Sequence, residues 1–175
     1  MDIFIINKSE FENIEDNILK NFQHKNFTDT NKLKEHCLSY FMLDKILKEN
    51  FNIENRKLEF INNKPYLVSG NLFFSITHSS DYIVIGISKN ECGIDIEIIK
   101  ERDFQSISKR MNFVSSSLEE FYKNWTKFEA EYKLGIASKS YIQQAYKNYM
   151  ITAVSCDNNE IFSFYVQNGK NFSNL

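Results

Sequence analysis

Two acidic side chains in a short apolar stretch are the first residues of the chain that could bind a cation. In residues 94–98, isoleucines alternate with Asp95 and Glu97, and side chains two apart on a β-strand point the same way. At about 3.3 Å rise per residue their Cα atoms lie roughly 6.6 Å apart, so both carboxylates can reach one hard cation such as magnesium. An ordinary amphipathic strand with a solvated acidic face fits the same pattern, so the pair alone leaves both interpretations open.

A third carboxylate, Glu129, lies in an unusual position of a predicted helix. Serines followed three residues later by glutamates predict a helix start near Ser117, and the helix runs to about Lys133. Its apolar stripe is expected to contain Leu118, Phe121, Trp125, Phe128 and Tyr132. At about 100° per residue, Glu129 lies only about 40° from Trp125, within the apolar sector, so its carboxylate needs a partner.

Two partners for Glu129 fit the sequence. Lys133 follows four residues later and could form an ordinary helix ion pair with it. Alternatively, Glu129 faces the acidic strand and completes a metal site, while Lys133 binds an anion. Both remain open at this level.

A cluster of hydroxyls around one imidazole, at residues 77–80, could bind an anion. It follows a predicted strand at residues 72–76 and is expected at a strand-to-loop junction, where binding sites are common. Thr77 and its serine neighbours can donate hydrogen bonds beside His78, although a lone histidine is often an ordinary surface or core residue. Lys64 precedes Pro65 at a strand start, which predicts a position near a rim with the lysine pointing outward.

Further elements must position these residues. The run at residues 82–88 is apolar on both faces and predicts a central buried strand. Residues 31–49 have helical apolar spacing after a capping segment, which predicts a helix whose solvated face carries Lys32, Lys34 and Lys45. Other strands are predicted at residues 3–7, 57–61, 64–68, 149–156 and 161–166, with turns at Asn62-Asn63 and at residues 157–159. A polar helical segment is expected near residues 10–21 and a short helix or loop at 98–112. The mixture predicts an α+β domain.

Composition limits the class of function. A chain of 175 residues suits one compact domain, and a net charge of −2 with scattered lysines gives no basic field for nucleic acid. Cys37, Cys92 and Cys156 are far apart and odd in number, which predicts free thiols in the cytoplasm. The first apolar run is too short for a signal peptide or a membrane span. Without a glycine-rich phosphate loop, any phosphates must be held by side chains and a metal.

Three stretches, in this order, resemble the motifs of 4′-phosphopantetheinyl transferases of the surfactin type. They are residues 74–79 (Phe-Ser-Ile-Thr-His-Ser), residues 93–97 (Gly-Ile-Asp-Ile-Glu) and residues 125–130 (Trp-Thr-Lys-Phe-Glu-Ala) with Lys133. Residues 63–67 (Asn-Lys-Pro-Tyr-Leu) look like a further element of that family. The occurrence of all these motifs in the same order, across residues 64–133, is far more specific for the family than any one of them.

The resemblance implies a fold and a reaction. The fold would be a single domain of two similar α/β lobes with pseudo-twofold symmetry, here about residues 1–92 and 93–175. Coenzyme A would bind between the lobes, with magnesium on its pyrophosphate. The enzyme would transfer phosphopantetheine to a serine of an apo acyl or peptidyl carrier protein, for fatty acid or secondary metabolite biosynthesis. A cytoplasmic monomer that binds neither nucleic acid nor membrane is expected.

The resemblance also implies roles for individual residues. Magnesium would be held by three carboxylates: Asp95, Glu97 and Glu129. The phosphates of coenzyme A would be seated by Lys64, Thr77 and His78, and its pyrophosphate by Lys133. Catalysis would therefore depend on Asp95, Lys133 and Glu129, the last of which would also help to deprotonate the serine through a water.

Two departures from the family pattern bear on activity. The interval from Asp95 to Glu129 is 34 residues (129 minus 95), which looks short for the family. The family's Lys-Glu pair is here Phe128-Glu129, and Lys127, about 100° round the helix, could replace the missing charge only through its flexible stem. The alternative function is therefore a non-catalytic coenzyme A binding protein derived from this family. A third possibility is an α+β interaction domain with chance motif matches.

Overall fold

The computed structural model describes residues 1–54, 56–61, 64–68 and 71–167. Within these ranges the elements follow the order β1 (Asp2–Asn7), a 3₁₀ helix (Lys8–Phe11), α1 (Asp16–Lys20), α2 (Thr30–Phe51), β2 (Leu58–Ile61), β3 (Lys64–Leu67), β4 (Phe73–Ser79), β5 (Tyr82–Ser88), β6 (Cys92–Ile98), α3 (Phe104–Met111), α4 (Leu118–Leu134), β7 (Ser140–Tyr146), β8 (Tyr149–Ser155) and β9 (Ser163–Gln167). The protein is α+β, which confirms the predicted class.

The chain forms two compact units. One contains residues 1–6 and 72–167, and the described residues 7–71 belong to the other. The second unit contains α1, α2 and the antiparallel pair β2–β3, in which Leu58 is opposite Leu67. The turn predicted at Asn62-Asn63 lies outside the described residues.

Helix α2 confirms the predicted helix and, at Lys32 and Lys34, its predicted solvated face, but not at Lys45. The Asp29 side chain caps the helix by accepting from the backbone N–H groups of Asn31 and Lys32, at 2.8 and 3.3 Å. Lys32 is exposed, as predicted. Lys45 is only 9% exposed, and its Nζ lies 6.0 Å from the centre of the Phe41 ring. The prediction was wrong at Lys45 because a long aliphatic stem can cover apolar surface at a position that a charge-based pattern assigns to solvent.

The first unit contains two sheets. One has the strand order β4-β5-β1-β9 and the other the order β6-β8-β7. Strand β5 is buried at every residue, which confirms the central strand predicted at residues 82–88. Strands β4 and β6 each lie at an edge of their own sheet.

The last two predicted strands exist but are not neighbours. Strand β8 pairs antiparallel with both β6 and β7, whereas β9 pairs parallel with β1 and begins with Ser163 opposite Asp2. Strand β7, which was not predicted from the sequence, forms a tight hairpin with β8 around Lys147, a residue with φ of 54°. Without β7, the turn after β8 was wrongly taken to join two adjacent strands.

Helix α4 buries a different face from the one predicted. It starts where the Ser117 hydroxyl accepts from the Glu120 N–H at 3.1 Å, and it ends at Gly135 with φ of 82°. Its buried residues are Phe121, Tyr122, Thr126, Ala130 and Leu134. Phe128 and Tyr132, both predicted to be buried, are 40% and 78% exposed.

The close approach of α4 to β6 explains this rotation. A Cβ atom added at Gly93 would lie 2.0 Å from the backbone oxygen of Ala130. The helix therefore packs its small residues against the strand, and large aromatic side chains cannot occupy that line of contact. The apolar pattern alone placed the centre of the buried face too close to Trp125.

In the part of the chain that the structure describes, no helix combines the length and the apolar character that a membrane crossing needs.

Candidate functional site

Strand β6 places its two carboxylates on the face that packs against α4. Ile94 and Ile96 point the other way, into an apolar core shared with β5 and β8. Asp95 is only 5% exposed and Glu97 is partly buried. The interpretation as a solvated acidic face is therefore wrong for Asp95, whose burial requires compensating partners.

Hydroxyl side chains of β4 link that strand to β6. The backbone N–H groups of Ile94 and Ile98 donate to Ser75 Oγ and Ser79 Oγ, each at 3.1 Å. Between them, Thr77 Oγ1 donates to Asp95 Oδ1 at 3.0 Å. These hydroxyls satisfy edge groups of β6 that would otherwise be buried without partners. Strand β4 continues to Ser79, beyond the strand end predicted at residue 76, so the strand-to-loop junction lies at the end of the 77–80 cluster and Thr77 lies within the strand.

The partner of Lys133 is Asp95 and not Glu129. Lys133 Nζ lies 2.7 Å from Asp95 Oδ1 and also donates to the Ile94 carbonyl oxygen at 3.0 Å. Among the described residues, no ion pair joins Lys133 to Glu129. The second carboxylate oxygen, Asp95 Oδ2, is buried and has no hydrogen-bond donor there. Oδ1 of Asp95 therefore has two donors, whereas Oδ2 makes no hydrogen bond of ordinary geometry within the described ranges, although the Ile96 N–H is near enough to lower the pKa of the carboxyl group.

The three predicted carboxyl groups influence one another electrostatically. Burial raises the pKa of Asp95, although Lys133 and Thr77 act in the opposite direction. Burial and the charge of Asp95 raise the pKa of Glu97 and likewise that of Glu129. A cation bound beside Asp95 would relieve the repulsion between Asp95 and each of the two glutamates.

The side chains at this site are of the type that binds a hard cation, but they do not form a complete coordination geometry. Three carboxylates and an oxygen without a donor, Asp95 Oδ2, are what a hard cation requires. In the described part of the chain, however, no three His, Cys, Asp or Glu side chains converge closely enough to hold a metal. Lys133 supplies the positive charge next to Asp95 in this conformation.

Of the other predicted site residues, His78 lies on the same strand as Thr77 and Lys64 lies in the other compact unit. His78 is exposed and follows Thr77 on β4, so the two side chains point to opposite sides of the strand. The Thr77 hydroxyl and the His78 imidazole, which were predicted to bind one anion together, therefore lie on opposite sides of the strand. Lys64 belongs to the other compact unit, where its Nζ lies 5.4 Å from the centre of the Tyr66 ring.

Several polar residues beside the carboxylates were missed by the sequence analysis. The hydroxyls of Thr126 on α4 and Thr152 on β8 are 2.6 Å apart and buried. Gln143 Nε2 donates to Thr152 Oγ1 at 3.1 Å and to the Lys123 carbonyl oxygen at 2.7 Å. Arg102 lies near enough to Glu97 to favour its ionised form. No local pattern marks these residues, although Thr126 lies within the motif that contains Glu129.

The raised pKa values predict how stability depends on pH. Asp95 and Glu97 have folded-state pKa values above their ordinary 3.8 and 4.5. Above those values the folded state binds more protons than the unfolded state, so their contribution to stability falls as pH rises through the window. Denaturant unfolding from about pH 4 to pH 8 should show the wild type losing stability relative to Asp95→Asn. A difference independent of pH would contradict the prediction.

Comparison with known proteins gives no independent assignment: no protein-family model matches the chain, and no curated protein sequence is significantly similar to it.

Proposed function

We propose that the chain is a magnesium-dependent 4′-phosphopantetheinyl transferase that uses coenzyme A. The strongest support is that one residue from each of the three motifs that resemble the family takes part in a single cluster of contacts. Thr77 of β4 donates to Asp95 of β6, which pairs with Lys133 of α4. Asp95 is 18 residues from Thr77 and 38 residues from Lys133 in the chain. Chance motif matches would have no reason to converge on one carboxylate.

The resemblance implies the reaction, and the side chains at the site are compatible with it. The serine hydroxyl of an apo carrier protein attacks the β-phosphorus of coenzyme A, forming a phosphoester bond. The bond to the leaving group breaks and adenosine 3′,5′-bisphosphate departs with the electron pair. The serine proton passes through a water to Glu129, whose pKa is raised by burial and by Asp95, a direction that suits a base.

Positioning and charge neutralisation provide most of the catalysis in such a transfer. Magnesium, held by Asp95, Glu97 and Glu129, would neutralise charge on the pyrophosphate. The ammonium of Lys133 would bind the same pyrophosphate, since it already lies against Asp95. Thr77 would hold Asp95 in place, while Lys64 and His78 would bind phosphates at the nucleotide end.

We propose further that the chain has two pseudo-symmetric α/β lobes, at about residues 1–92 and 93–175. We also propose that it is a monomer and that its partner is an acyl or peptidyl carrier protein. A cytoplasmic location, in fatty acid or secondary metabolite biosynthesis, suits that partner. All three cysteines are free thiols, as a reducing compartment would leave them.

Intact-mass measurement tests the activity directly. The protein is incubated with coenzyme A, magnesium and an apo acyl carrier protein, and a parallel sample contains a carrier protein whose acceptor serine is alanine. A mass gain of one phosphopantetheine group in the first sample alone supports the transferase. If several apo carrier proteins gain no mass while calorimetry detects binding of coenzyme A, the non-catalytic alternative is favoured. Absence of both binding and transfer favours the interaction domain.

The exposed Phe128 is the observation that favours the alternative function. The family lysine is missing at this position, and Lys127 does not replace it, because its Nζ pairs with Glu131 Oε1 at 2.9 Å. The Phe128 ring instead packs edge-on against Phe113, with ring centres 5.8 Å apart. A relic that binds coenzyme A without turning it over could tolerate this loss of charge.

Phe128→Lys is expected to raise the transfer rate about tenfold to a hundredfold, because a charged hydrogen bond to phosphate contributes about 1.5–3 kcal/mol. Since Phe128 is 40% exposed, the stability cost should be limited to the aromatic pair with Phe113, about 0.5–1.5 kcal/mol. Transfer kinetics and melting temperature are measured together. Tyr132→Lys, one turn further along α4, is the control and should leave the rate nearly unchanged. Equal rates in wild type and Phe128→Lys would show that the missing charge does not limit turnover.

A further inference from the structure

The ion pair between Lys133 and Asp95 joins a fixed carboxylate to a movable ammonium. The Asp95 side chain is 7% exposed and lies within β6, where Thr77 donates to it. The Lys133 side chain is 30% exposed and has a flexible four-carbon stem. If the pair separates, the lysine is therefore the partner that moves.

The ammonium lies where a cation on Asp95 would be. It contacts Asp95 Oδ1 and the Ile94 carbonyl oxygen, at 2.7 and 3.0 Å, and both atoms are acceptors of the kind that hard cations bind. The other carboxylate oxygen, Asp95 Oδ2, is buried without a donor among the described residues. A divalent ion on this carboxylate would lie within a few ångströms of the ammonium, and like charges at that distance repel strongly in a partly buried site.

We propose that Lys133 is a built-in counter-ion that opposes the binding of a divalent cation at Asp95 until a diphosphate draws the ammonium away. The diphosphate is that of the proposed function, whereas the ion pair itself stands independently of it. The metal and the diphosphate then bind as a coupled pair. Because coupling between two ligands is reciprocal, each one strengthens the binding of the other by the same factor. The site thereby avoids capturing a metal ion when no substrate is present.

This counter-ion role predicts that removing the charge of Lys133 has opposite effects on the affinities for the metal ion and for coenzyme A. Lys133→Gln keeps an amide that can donate to Asp95 and to the Ile94 carbonyl, but it carries no charge. We expect it to bind Mn²⁺ alone at least about tenfold more tightly than the wild type, because the competing cation is gone. It should bind coenzyme A, in the presence of a chelator, at least about tenfold more weakly, because a charged contact is lost.

Electron paramagnetic resonance of Mn²⁺ and calorimetry with coenzyme A measure the two affinities without any catalytic turnover. Lys127→Gln is the matched control, since it also removes a charge from α4, but from a lysine that pairs with Glu131. It should behave as the wild type towards both ligands. Lys133→Met serves as a second variant with the same expected result if the glutamine variant folds poorly, as judged by circular dichroism.

The outcomes separate this inference from the proposed function. Unchanged or weaker Mn²⁺ binding by the Lys133 variants would overturn the inference, even if the wild type transfers phosphopantetheine. Tighter Mn²⁺ binding in Lys133→Gln but not in Lys127→Gln would support the counter-ion role, even if no transfer is found. An equal tightening in both variants would assign the effect to net charge and would also overturn the inference.

Discussion

Asp95→Asn is expected to lower the rate of phosphopantetheine transfer at least about a hundredfold, because charge stabilisation by a bound metal contributes several kcal/mol to such a transition state. The asparagine still has an oxygen that can accept from Thr77 and Lys133, which both contact Asp95 Oδ1 in the wild type. Only the charge is removed. Melting temperature should change by no more than a few degrees, since Lys133 is partly exposed and its ammonium can turn to water.

Glu131→Gln is the control for this prediction. Like Asp95, Glu131 is an ion-paired carboxylate, but it lies on α4 and its partners are Lys127 and Ser138. The transfer rate of Glu131→Gln should stay within a few-fold of the wild-type rate. Near-normal transfer by Asp95→Asn would remove Asp95 from the metal site, whatever its contribution to folding.

Among alanine substitutions at Gly86, Gly93 and Gly135, Gly93→Ala is expected to cause the largest loss of stability. The added Cβ would lie 2.0 Å from the Ala130 oxygen and 2.9 Å from the Leu134 nitrogen, and both are backbone atoms that cannot rotate away. Helix α4 must move away from β6, at a cost of about 3 kcal/mol or more. For a chain of this size, this corresponds to a fall in melting temperature of roughly 6–12 °C. Because α4 carries Lys133 and Glu129, transfer should fall as well.

Two other glycines provide matched controls. At Gly86 the nearest atoms to an added Cβ are Met1 Sδ at 3.2 Å and Ile94 Cδ1 at 3.6 Å, which are side-chain atoms that can shift. At Gly135 an added Cβ meets nothing within 4 Å, but φ of 82° imposes backbone strain of about 1–2 kcal/mol. Thermal unfolding should therefore rank Gly93→Ala well below both. A Gly93→Ala protein as stable as Gly86→Ala would show that α4 does not approach β6 this closely.

The sequence by itself determined the elements whose causes are local. A capping segment before residue 31 and a helix start near Ser117 were recognisable, because a cap requires only backbone N–H groups two or three residues later. The structure assigns these caps to Asp29 and Ser117. The buried strand β5 follows from a run that is apolar on both faces, and the shared face of Asp95 and Glu97 follows from the two-residue period of a strand. The α+β class follows from the same local signals, whereas the grouping of Glu129 with Asp95 and Glu97 was one of two alternatives and was favoured by the resemblance of the motifs.

Tertiary structure alone decided how those elements meet. The rotation of α4 depends on its close approach at Gly93, a residue on another strand, so the helical pattern could not predict that Phe128 is exposed. Strand pairing likewise separates β8 from β9, although they are consecutive in the chain. The partner of Lys133 was the most consequential of these choices. At four residues' separation Glu129 was the local candidate, but the packing of α4 on β6 brings the ammonium to Asp95, whose buried carboxylate most needs a positive charge.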